Sequence, residues 1–269
     1  MGDRVAARGV EAKVLAYGDR VVAQGDVASS TKAAPATAPV AVPPTPSVQV
    51  ARLLLIDRKS LVDATTQKDV ATRLESDLKA LLATKTPKSL QAKFPIRFSV
   101  SWVAKWPTDA ERQDMGKLDF PIYFEHAPPS NDALTKSELT GLMRTHGILE
   151  KGEPGKQYDL AEGAWENTSV EGLGIHPFLG YRKVGFIKVD RVYDPAKDRV
   201  TALTNVVKHE FGHMCNLDHD AKGLMKASVP LATATDFEAE SKGKILGKLG
   251  VLAASSEAAL QRAYEAAAK

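Results

Sequence analysis

His209-Glu210-Phe211-Gly212-His213-Met214-Cys215-Asn216-Leu217-Asp218-His219 is the stretch on which the reading of this chain turns. An α-helix turns every ~3.6 residues, so His209 and His213 fall one turn apart on a shared face. Two imidazole nitrogens placed that way reach one metal ion at about 2.0–2.1 Å. Glu210 lies about 100° round the helix from His209. It therefore stands beside the metal, where a carboxylate can take a proton from metal-activated water. His219 follows His213 by six residues, and a continuing helix would carry it away. Asn216 supplies the reversal. A helix that ends sharply puts its next residue in the left-handed conformation, which Gly prefers and Asn tolerates. The expectation is a helix that stops at Cys215, reverses at Asn216 and delivers His219 as third ligand. Three neutral nitrogens leave a fourth position open, as in a catalytic zinc site and unlike a closed structural one. Three of the chain's 6 histidines fall within this stretch, which makes a surface helix with unrelated histidines a poor account of it.

The same residues carry a family resemblance. HEFGHMCNLDH resembles the metzincin zinc signature HExxHxxGxxH, with Asn216 in place of the signature Gly. HEFGH and LDH are similar to matrixins, and Asp220 is similar to the adamalysin pattern. The resemblance implies a zinc endopeptidase with His209, His213 and His219 as ligands and Glu210 as general base. It implies a zincin-like α/β (α+β) fold, with a mixed, twisted sheet over an active-site helix and a mostly helical C-terminal part. It implies a Met-turn beneath the ligands, for which Gly223-Leu224-Met225 supplies Met225. It also implies an edge strand that holds an extended peptide, placed here within Gly163–His176. Lys226, Ala227 and Ser228 follow Met225, so the tyrosine that some metzincins use next to the metal has no counterpart. Gly185–Asp190 before the zinc helix resembles the strand–loop–helix order of matrixins and archaemetzincins. The single cysteine cannot build the second, cysteine-rich zinc site of the archaemetzincins.

Moving outward, the periodicities alternate between strand and helix. Val48–Ile56 reads as a buried strand. Thr66–Thr84 carries Val70, Leu74, Leu78, Leu81 and Leu82 on a helical stripe. Phe94–Val103 and Phe120–Phe124 read as strands. Thr135–Thr145 reads as a helix with a Thr135-x-x-Glu138 capping box. Gly147–Gly174 is a long polar, Gly-rich stretch, read as a substrate rim or a surface loop. Lys183–Asp190 is a strand and Arg199–Cys215 the zinc helix. Thr235-x-x-Glu238 is read as the cap of a further helix, and Ser255–Ala268 as a last one. The main domain is thus expected over 48–269, with C-terminal helices from about 235.

The remaining candidates are weighed residue by residue. Cys215 is read as a small buried hydrophobe rather than a fourth ligand. Asp218 and Asp220 are read as holding the turn or backing the ligands, and either is chemically able to replace His219. His176 is read as a loop histidine bonded to backbone, with a place in the cleft as the rival. His126 and His146 are read as solvated. Trp102, Trp106 and Trp165 are read as core or rim.

Composition excludes several classes. Lys plus Arg is 36 and Asp plus Glu is 33, a net +3 without basic runs, which gives no footing for nucleic acid. No window approaches the ~18 apolar residues of a membrane span. Residues 1–32 hold a short echo, Gly2–Gly9 against Gly18–Gly25, read as a weakly ordered segment or a targeting element. Residues 33–47 include AAPATAPVAVPPTP, an extended linker. No signal-peptide core is recognisable, which leaves a cytoplasmic protein, a removed signal or another export route. The expected partner is a peptide or protein substrate, with a secretion apparatus as a further partner through residues 1–47. The rival functions are a non-catalytic zinc-containing binding or structural module, and a metalloprotease effector delivered by an injection apparatus.

Overall fold

The computed structural model describes residues 48–84, 95–148, 156–167, 171–175, 182–192, 198–220, 222–227 and 232–267. The readings of residues 1–32, of the 33–47 linker and of His176 lie outside the described residues. One compact unit runs over Thr45–Lys269.

Apolar runs form the strands because both faces of this sheet are covered. The strands are β1 (Gln49–Ile56), β2 (Ile96–Val103), β3 (Asp119–Glu125), β4 (Gly172–Ile175) and β5 (Val184–Lys188). They form one five-stranded sheet in the order β2-β1-β3-β5-β4. β1 pairs in parallel with β2 and β3, and β3 in parallel with β5. β4 alone runs antiparallel, along β5 at the sheet's edge. The helices are α1 (Ala64–Ala83), α2 (Asp109–Gln113), α3 (Lys136–Thr145), α4 (Lys156–Glu166), α5 (Val189–Val192), α6 (Arg199–Met214) and α7 (Ala239–Ala267).

Strand alternation divides the core in two. Ala51, Leu53, Leu55, Phe120, Ile122 and Phe124 face a cluster completed by α1, α6 and α7. Ile56, Tyr123, Val184 and Phe186 face a second cluster with α3 and α4. The α1 stripe buries Val70, Leu74, Leu78 and Leu81, as its spacing predicts, each contributing about 1.5–3 kcal/mol of transfer energy. Pro121 fits inside the buried strand β3 for a directional reason. Arg52 N–H donates to Leu118 O at 2.9 Å, so the even-numbered residues of β3 bond β1 and Pro121 points toward β5. The β3–β5 pairing begins only at Ile122–Gly185, so the missing N–H removes no ladder bond.

Several expectations need correction. The Gly147–Gly174 stretch is not irregular throughout: besides β4, which falls within the window expected for the edge strand, it holds the unexpected helix α4. Tyr158, Ala161 and Trp165 form the buried stripe of α4, and Gly163 lies where a side chain would meet nothing within 4 Å. A solvent-facing glycine costs a helix only about 1 kcal/mol. The strand expected to Asp190 ends at Lys188 and turns into the single-turn α5. Thr135 and Glu138 do form their capping box, but Thr235 and Glu238 do not. Thr235 O instead accepts from Lys208 Nζ at 2.8 Å, and Thr235 N–H donates to Asn205 Oδ1 at 3.3 Å, so α6 holds that segment. α7 starts after Glu238, whose carbonyl accepts from Lys242 N–H, and runs as one helix through the Ala-rich segment expected to be separate. α2, with its Thr108–Glu111 capping box, was not anticipated.

His126 and His146 are not simply solvated. His146 is 2 % exposed and lies 2.8 Å from the Tyr123 hydroxyl, and His126 Nδ1 sits 3.0 Å from Asp190 Oδ2. Trp165 is core and donates to Leu134 O at 3.0 Å, whereas Trp102 is half-buried and donates to Gln67 O at 2.7 Å. Half-buried Trp106 carries the Arg58 guanidinium 3.7 Å above its ring.

Candidate metal centre

α6 is a buried helix held on several sides. Asp198 caps its start by accepting from Val200 N–H at 3.0 Å. Lys208 Nζ pairs with Asp77 of α1 at 2.7 Å, and Asn205 donates to Thr233 O at 2.7 Å. Its last turn therefore stands on a fixed frame.

The helix ends at Met214, and Asn216 adopts φ 70°, the left-handed value anticipated for it. Leu217 N–H donates to Gly212 O at 3.1 Å and Asn216 N–H to His213 O at 2.8 Å. That pair of bonds is a Schellman motif, which satisfies carbonyls left open by the helix end. The reversal brings His219 back to the helix. His213 Nε2 lies 3.0 Å from His209 Nε2 and 3.2 Å from His219 Nε2. One ligand atom from each histidine lies within 4.8 Å of the other two.

The other ring nitrogens set the tautomers. His209 Nδ1 is 2.7 Å from Leu224 O, and His213 Nδ1 is 2.8 Å from Leu217 O. A carbonyl only accepts, so each Nδ1 carries the proton and each Nε2 keeps its lone pair. Burial above all, then the neighbouring His213, pushes His209 down to about 4. Ligands 2.0–2.1 Å from a tetrahedral ion stand about 3.3 Å apart, close to the spacings found. Three imidazole nitrogens, two with their rings fixed by backbone carbonyls, could thus hold a metal ion, and their spacing is compatible with zinc.

Glu210 is 2 % exposed and faces β4. A Cβ on Gly172 would stand 2.4 Å from Glu210 Oε1, and one on Gly174 would stand 2.6 Å from Glu210 O and 2.7 Å from His213 Cβ. Only glycines allow the strand this close. Burial foremost, then the charge of Glu171, holds the Glu210 carboxyl well above its ordinary range, against a Gly174 backbone hydrogen bond and nearby Lys188. Glu210 Oε2 is buried without a hydrogen-bond partner. The three histidines, Glu210 and β4 line a cleft of about 290 Å³, with Ala164 and Ala227 also in its wall.

Met225 is 1 % exposed and packs against α6 at Gly212, where a Cβ would come within 2.5 Å of its sulfur. Asp220 N–H donates to Met225 O at 2.6 Å, closing the loop after the last histidine. Cys215 is buried and outside the histidine cluster, its thiol pushed up to about 12 by burial. Asp218 is exposed, and Asp220 accepts from Ser241 Oγ at 3.1 Å. Neither stands in for His219 in the cluster.

Gly172, Gly174 and Lys188 were not anticipated as parts of this site. Alternate glycines in a strand are a signal for close backbone approach, and Gly172-Leu173-Gly174 carries it. Lys188 is 1 % exposed and donates to Ala164 O at 3.0 Å and Asn167 O at 2.7 Å, tying the end of α4 to β5 beside the cleft. No family model and no curated protein matches this chain.

Proposed function

We propose that this chain is a zinc-dependent endopeptidase of the metzincin type. The observation that carries the reading is the convergence of His209, His213 and His219 at Nε2, beside a buried carboxylate with an unpartnered oxygen, in a cleft along an edge strand. The three imidazoles would hold zinc. Bound zinc supplies a Lewis acid that acidifies water and polarises a carbonyl oxygen. Glu210 Oε2 takes the proton of the attacking water and passes it to the leaving amine nitrogen. Leu224 O and Leu217 O hold two of the rings in the required tautomer. Met225 supports the helix turn between the first two ligands, the place a Met-turn would occupy. β4 has one strand neighbour, β5, among the described residues, so its outer edge suits an extended peptide added as a further strand.

A structural zinc module accounts less well for Glu210. A carboxylate buried with an unpartnered oxygen costs stability and serves nothing in a closed site. The test is Glu210→Gln. Zinc content should stay at one per chain while peptide-library cleavage falls roughly 100-fold or more. Undiminished cleavage in that variant would overturn the mechanism.

A further inference from the structure

A larger basin adjoins the metal cleft. It measures about 620 Å³, lies between the 215–220 segment and α7, and has His219 in its wall, as the cleft does. Ser241, Lys244, Lys248 and Val251 of α7 line it, at the spacing of one helix face. Its floor is apolar, with Cys215 and Leu217 buried beneath it, and Val251 stands 64 % exposed at its far end.

The charges are ordered along α7. Ser241 Oγ bonds Asp220 Oδ2 at 3.1 Å, and Lys244 Nζ pairs with Glu240 Oε1 at 2.7 Å while facing Asp218 and Asp220. Lys248 comes one turn later, half-buried, and has no carboxylate within ion-pair reach among the described residues. Its charge acts on the buried Cys215 thiol and on another cation, Lys183. The basin is therefore acidic where it meets His219 and carries an unmatched cation at its other end.

We propose that this basin is a second subsite of the substrate groove, taking an acidic side chain of a polypeptide that crosses His219 from β4, with Lys248 as the carboxylate's partner. The inference rests on the reading of the cleft as a peptide site. Val251 offers apolar surface to the residues beside that acid.

The test uses the zinc-loaded full-length chain and two fluorescent peptides, amidated at the C-terminus and identical except for Glu against Gln at a cluster of positions. Anisotropy titration should show the Glu peptide binding about fivefold tighter, the scale of one partly exposed ion pair. The ratio should fall to about one in Lys248→Gln, invert in Lys248→Glu, and shrink at about 0.5 M salt. Lys242→Gln is the control, because Lys242 Nζ pairs with Asp236 Oδ2 at 2.6 Å outside the basin. Equal binding of both peptides, a ratio that survives Lys248→Glu, or a preference seen only with a free C-terminal carboxylate would each overturn the proposal. A Lys248-dependent preference without cleavage keeps the subsite and removes the peptidase reading. Cleavage without the preference does the reverse.

Discussion

At the scale of the residue, contact between a glycine and a carboxylate sets the site. The three atoms nearest a Cβ on Gly172 would all belong to the Glu210 side chain, whereas one on Gly174 would meet the α6 backbone and His213 as well. Gly172→Ala should therefore destabilise the protein by about 1–3 kcal/mol, the range for overpacking. In a Glu210→Ala background the same change should be close to neutral, since the space it needs has been vacated. Thermal melts of the four proteins in that cycle measure the coupling, and additive effects would contradict the contact. Asn216 offers a second residue-level check. Its φ of 70° is one that Asn tolerates and Ala does not. Asn216→Ala should cost about 1 kcal/mol in urea unfolding and weaken zinc affinity, because this turn places His219.

At the scale of the element, α6 and the loop behind it form one device. His209 and His213 sit on the helix, His219 on the returning chain, and the carbonyls of Leu217 and Leu224 reach back to the two helical rings. Metal held by these residues would join the helix to the loop in the folded state only. Excess zinc at about 100 times its Kd should add about 2.7 kcal/mol to stability, and chelation should remove it. Thermal shift with and without chelator reads this directly. Proteolysis within 217–227 should rise when the metal is withdrawn, and unchanged melting and cleavage would count against a metal at this site. The helix that carries His209 and His213 was legible from their spacing and from the reversal at Asn216. β4 was placed only within a window, because a four-residue strand with two glycines has too few apolar residues to show alternation.

At the scale of the whole molecule, the sheet separates two cores, and a titratable group is sealed into the one opposite α6. The Tyr123 hydroxyl hydrogen-bonds His146 Nε2 at 2.8 Å, with the Arg112 guanidinium close by. Burial, reinforced by Arg112 and Arg182, pushes His146 down to about 3. Below the ordinary histidine value the unfolded chain takes up a proton that the folded chain refuses. Stability is therefore full above about pH 6.5 and is lost as pH falls toward 3. The expected loss from this group is about 1 kcal/mol between pH 6.5 and 5.5. Urea unfolding at these two pH values should show a slope that includes this contribution, and His146→Gln should reduce it by about 1 kcal/mol, leaving the part due to His209, which is pushed down to about 4. A slope unchanged in the variant would assign the pH dependence to other groups.

What the sequence determined by itself were the features carried by local chemistry. The spacing of His209 and His213, the reversal at Asn216, the α1 stripe and the Thr135 capping box each depend on residues a few positions apart, where helix geometry and backbone preference act directly. Only the tertiary structure decided what depends on distant segments. Thr235 leaves its expected cap because α6, some thirty positions earlier, binds that backbone. His146 is buried because Tyr123 of β3 lies against it. Gly172 and Gly174 matter because β4 is laid on Glu210. Such contacts are made by chain closure and packing, and no local pattern of apolar and polar residues encodes which distant atom will arrive.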